Sequence, residues 1–180
     1  CIRDSTLPNA PVYDDVQQFM TASRTHDSVG VAYTPTLLVA YGGLTGQRYY
    51  FKHHDPFDNK RLLQHWNRRD LDARTHRGGQ WAHDGDWNHK QSARDAASMQ
   101  EKGLLVTMGA HGQLQGLGVH LELWALGGEG AMSPMNALRS ATIDGATYLG
   151  LQHVLGSITA GKFADMLVLD ADPRDDLHNT

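Results

Sequence analysis

The chain has 180 residues, 40% of them apolar, enough for one domain with a real core. Its net charge of −4, with no basic stripe, argues against nucleic acid as a partner. No apolar run approaches the ~20 residues that a membrane span needs, and the single cysteine, Cys1, excludes an internal disulfide.

Ile2-Arg3-Asp4-Ser5 reads as the tail of a strand entering a loop, so the chain is expected to be the remainder of a longer polypeptide. Val12, Val16, Phe19 and Met20 recur at helical spacing and predict a helix over Tyr13–Ser23, with Asp14 and Asp15 at its positive end. Thr36-Leu37-Leu38-Val39-Ala40 is uniformly apolar, as in a parallel strand buried on both faces. From Leu44 to Asn88 aromatic, histidine and arginine residues mix with Gly, Asp and Asn. This stretch reads as a long loop over the open end of a sheet, with a short helix at Lys60–Trp66. A helix is expected over His89–Lys102, stopped by Gly103 in a left-handed cap, and then a strand at Leu104–Met108. Gly109–Gly130 is glycine-rich and reads as loop. Ser133-Pro134 opens a further helix running to Leu149, whose buried stripe would be Leu138, Ala141, Thr142, Ala146 and Leu149. Leu155–Ile158 and Met166–Leu169, joined through a turn at Gly161, read as a closing pair of strands. The order predicts an α/β fold.

His111 stands just past the Leu104–Met108 strand, where the strand end would aim a metal-competent imidazole into a site. It competes with a histidine that only bonds a neighbouring loop. His120 and Glu122 are separated by one residue, so on an extended segment both would point one way, as an acid–base pair or as two solvated rim residues. Gly109, Gly112, Gly116 and Gly118 match neither the phosphate-loop nor the dinucleotide pattern and read as turn residues. His53-His54, His65, His76, His83 and His89 show no ligand spacing, and Trp66, Trp81 and Trp87 beside them read as packing. No serine sits in a nucleophile elbow.

Three stretches together carry a resemblance: Val106-Thr107-Met108-Gly109-Ala110-His111-Gly112, Met132–Thr142, and Gly156-Ser157-Ile158-Thr159-Ala160-Gly161-Lys162-Phe163-Ala164-Asp165-Met166-Leu167-Val168-Leu169-Asp170. They resemble the C-terminal end of the amidohydrolase superfamily, metal-dependent hydrolases built on a (β/α)8 TIM barrel. Thr34–Gly43 looks like the seventh barrel strand of its imidazolonepropionase-like or prolidase-like branch. The resemblance implies that residues 1–150 are a partial barrel, with a loop insertion at 44–88, and that 151–180 belong to a small β-sandwich domain. It also implies hydrolysis of an amide or cyclic amide by water activated on a divalent metal, with zinc expected. His111 would be the metal ligand and catalytic residue, with His120 and Glu122 at the mouth of the site.

The sequence departs from the family at two places. His111 stands where the family carries an aspartate, and no histidine falls in Asp4–Pro8 after the expected sixth strand. The chain is therefore expected to be a C-terminal fragment, inactive alone, whose partner is the missing N-terminal part of the same polypeptide. The alternatives are a barrel-derived scaffold that has lost its metal ligands, and a self-contained α/β domain.

Overall fold

Two short parallel strands, β1 (Ala32–Tyr33) and β2 (Leu105–Val106), pair in the register Ala32↔Leu105 and Tyr33↔Val106. They lie in a computed structural model that describes residues 32–39, 45–75, 82–128 and 131–180. The helix expected over Tyr13–Ser23 falls outside those residues. Helices surround the pair: α1 (Gly46–His53), α2 (Lys60–His65), α3 (Arg68–Arg74), α4 (Asn88–Glu101), α5 (Leu117–Gly127), α6 (Pro134–Ala141) and α7 (Ile143–Tyr148).

The step from α4 to β2 follows the expectation. His89, Ser92, Ala93, Ala96 and Met99 make a buried face at helical spacing. Gly103 then turns the chain with φ +89, the left-handed conformation that costs glycine least. The Gly103 and Leu104 amides donate to the carbonyls of Gln100 and Met99, at 2.9 and 3.0 Å, and close the helix end.

Five expectations are corrected. The described part of the expected Thr36–Ala40 strand is not a strand: Leu37–Val39 form a 3-10 turn three residues after β1. Leu37 and Leu38 are fully buried, so the run is apolar because it fills the core. The amides of both residues donate to the side chain of Glu122, which takes them out of any ladder.

The described part of 44–88 is not a loop but α1, α2 and α3, with 3-10 turns at Pro56–Asp58 and Asp84–Asp86. Asp55, Asn59 and Asn67 accept from the amides of Phe57, Leu62 and Arg69 and so start three of these elements. The helices are short and bury few side chains each, among them Tyr50, Phe51, Leu62 and Leu71, so the segment reads as polar overall. The expected helix at Lys60–Trp66 is present as α2.

Gly109–Gly130, expected as loop, contains α5. Leu121, Leu123, Ala125 and Leu126 are buried around its circumference, the pattern of a core helix. Gly118 in its first turn admits no side chain, because a Cβ there would lie 1.8 Å from the Gln113 carbonyl oxygen.

The helix expected from Ser133 to Leu149 is broken at Thr142 (φ −127, ψ −97) into α6 and α7. The break resets the phase, so Ala137, Ser140, Asp144 and Ala146 are buried while Thr142 and Leu149 are exposed. Its start is as expected: the Ser133 hydroxyl accepts from the Asn136 amide at 3.2 Å, and Pro134 occupies the first turn. Ser133→Ala should cost about 1 kcal/mol, read as a lowered midpoint in urea denaturation.

Leu155–Ile158 and Met166–Leu169 are not strands in the structure. The turn at Gly161 (φ +91) does form, but it leads the Phe163 amide to the Val154 carbonyl at 2.8 Å. The Lys162 ammonium donates to the Gln152 and Leu155 carbonyls and to the Ser157 hydroxyl. These bonds hold a loop rather than a ladder. Ile158, Phe163, Leu167 and Val168 are left exposed, Val168 almost completely at 99%. Beyond them the Leu177–Asn179 turn returns to α5, where Leu177 is buried.

Candidate functional site

Parallel pairing puts the C-terminal ends of β1 and β2 side by side, and the chain opens there into two loops. The Thr107 amide donates to the Tyr33 carbonyl at 2.9 Å, and the hydroxyls of Thr34 and Thr107 lie 2.6 Å apart. Gly109 passes so close to the neighbouring segment that a Cβ would stand 2.9 Å from the Thr34 methyl. In α/β enzymes functional groups collect at this end of the sheet, where loops leave the strands without disturbing the core.

His111 lies on the loop after β2 and is exposed. Its φ of +52 is uncommon for a residue with a side chain, although histidine is among the types that adopt it more often. The turn is set by the Gln113 amide donating to the Ala110 carbonyl at 2.9 Å, and Gly112 and Gly116 take positive φ as turn glycines. The Trp66 indole donates to the Gln115 carbonyl at 3.3 Å and packs this loop down.

Glu122 anchors the other loop from below. Its Oε1 accepts from the Leu37 amide at 2.7 Å and its Oε2 from the Leu38 amide at 3.0 Å. The side chain is fully buried. Burial pushes its pKa up to about 8, against the opposing pull of the two amides. The chemistry available to this group is to hold the turn after β1, because both oxygens are committed and water is excluded.

His120 and Glu122 do not act as a pair on one side. Both belong to α5, where two residues correspond to a rotation of about 200°. His120 is half-buried with its Nδ1 3.2 Å from the Thr180 hydroxyl, and burial lowers its pKa, so the ring is neutral near pH 7. The three residues singled out in the sequence thus occupy three settings: an exposed loop, a contact with the C-terminal turn, and a buried clamp. Thr34 and Thr107, which tie the two strand ends together, were not singled out. Two threonines 73 positions apart carry no local signal. Glu122 did carry one, as the lone carboxylate in Val119-His120-Leu121-Glu122-Leu123-Trp124.

Among the described residues no three His, Cys, Asp or Glu side chains lie close enough to hold a metal ion. His111 by itself offers one donor, where zinc takes four.

Against known proteins, the model of the amidohydrolase family matches residues 56–180. The match takes in β2, the His111 loop, α4 to α7 and the Gly156–Asp170 stretch. No curated protein and no solved structure matches the chain.

Proposed function

The chain belongs to the amidohydrolase family, and from that premise we propose that it is the C-terminal part of an enzyme that hydrolyses C–N bonds in amides or cyclic amides. The observation that carries this reading is the shared open end of β1 and β2, joined through Thr34 and Thr107, with His111 on the loop beyond it. That end is this chain's share of the active site. The Thr34–Gly43 pattern favours the imidazolonepropionase-like or prolidase-like branch.

Members of this family typically bind divalent metals, and such an ion supplies an activated water. The described residues alone do not make a metal site. His111 is the one ligand we assign to this chain, with zinc as the ion, and the other ligands would come from the rest of the intact protein. Glu122 positions the loop after β1, and His120 joins α5 to Thr180; neither is assigned contact with substrate.

Ile158, Phe163, Leu167 and Val168 are exposed apolar side chains within one stretch of the chain, and grouped apolar exposure of this kind marks a surface that a partner covers. We assign it to the N-terminal part of the same polypeptide. The single donor at His111 favours a second reading, a barrel-derived scaffold without chemistry. Release of amine or ring-opened acid by the intact protein, over a panel of small amides and cyclic amides, separates the two. Turnover is expected for at least one class; its absence across the panel in folded, metal-loaded protein would favour the scaffold.

A further inference from the structure

A concavity lies between α1, the Pro56–Asp58 turn and α5, and none of its lining residues belongs to the loop that carries His111. It is a cleft of about 390 Å³, a volume that suits a one-ring ligand. Tyr50 and Leu121, both buried, form its floor, and Trp124 forms one wall. The indole is held in place: its Nε1 donates to the Leu177 carbonyl at 2.9 Å and to the Thr180 hydroxyl at 3.3 Å. Rings gather around it, with centroids 6.1 Å away for Tyr50, 5.7 Å for His54 and 4.5 Å for His178.

The polar groups on the rim are unequal. One oxygen of Asp55 accepts from the Phe57 amide, and the side-chain oxygen of Asn59 accepts from the Leu62 amide. Asp58 is exposed and makes no ion pair with any described residue. Partial burial and the neighbouring His178 and His53 lower the pKa of His54, so it contributes a neutral ring. His178 is tied to Asp176 at 2.7 Å. Near pH 7 the cleft therefore combines aromatic faces with negative charge at its mouth. That combination attracts a cation, through the ring quadrupole and through the Asp58 carboxylate, and disfavours an anion.

We propose that this cleft binds a small organic cation, an ammonium carried on an aromatic or branched apolar body, with the charge near Asp58 and Trp124. The reading stands apart from the hydrolytic one, because it rests on different residues and is tested by binding alone.

Calorimetric titration of the full chain with benzyltrimethylammonium, benzyl alcohol and benzoate tests it. The cation should bind about 10-fold or more tighter than either of the others. Asp58→Asn, at an exposed position, should weaken the cation about 3-fold or more and leave benzyl alcohol unchanged. Trp124→Leu should weaken the cation as well, with a thermal melt to verify folding. Equal binding of the three probes, no binding of the cation at millimolar concentration, or indifference of the cation to Asp58→Asn would each overturn the proposal.

Discussion

Glu122→Ala is expected to destabilise the chain by about 2–6 kcal/mol, since it strands two buried amides at about 1–3 kcal/mol each. The Leu37 and Leu38 N–H groups are in the core, where no water can replace the lost acceptors. The turn after β1 would have to open to satisfy them, and opening it exposes two fully buried leucines. Glu122→Gln should cost less, because an amide oxygen still serves one N–H while its NH2 faces the other. Urea denaturation of the two variants beside the parent chain gives the order, with alanine the lower. Equal midpoints for alanine and parent would mean that the clamp contributes nothing.

The same carboxyl gives stability a pH dependence of definite sign. Its folded pKa, about 8, lies above the ordinary value of 4.5. Between these values the unfolded chain has released the proton and the folded chain keeps it. The contribution of Glu122 is therefore fully present below the ordinary value and is lost as pH rises towards 8, at no more than about 1.4 kcal/mol per unit. Glu122→Gln should flatten that part of the profile.

His111→Ala in the intact protein should lower turnover by about 100-fold or more, together with bound metal. Its stability should move by no more than about 1 kcal/mol, because the side chain is exposed. This split distinguishes a metal ligand from a loop histidine. A loop histidine would leave turnover near that of the parent, and a structural one would lower the midpoint along with the activity.

The parts of this fold that were legible in the sequence are those where one signal dominates its neighbourhood. Gly103 ends α4 and Ser133-Pro134 starts α6 because capping is local chemistry, decided by three or four adjacent residues. The Gly-Lys-Phe-Ala-Asp stretch was legible in another way, as a family resemblance, and the family match covers it. Misreadings arose where a residue's role is set from a distance. Leu37 and Leu38 look like a strand until a carboxylate 85 and 84 positions away takes their amides. The glycines around α5 suggest loop, yet Gly118 is there because the chain passes close to the Gln113 carbonyl. Met166–Leu169 has a strand's composition and no strand beside it among the described residues, and composition cannot supply a hydrogen-bonding partner. The place of His111 on the loop after β2 was legible from the apolar run before it. The Thr34–Thr107 tie could emerge only once β1 and β2 were paired.

The most direct test of the hydrolytic reading measures bound metal and amide turnover together on the intact protein, before and after chelation and after zinc is restored. Turnover of an amide or cyclic amide that is lost on chelation and returns with zinc is the predicted result, with His111→Ala failing to recover. Turnover that survives exhaustive removal of metal, or a zinc-restored protein that hydrolyses none of these substrates, would contradict it.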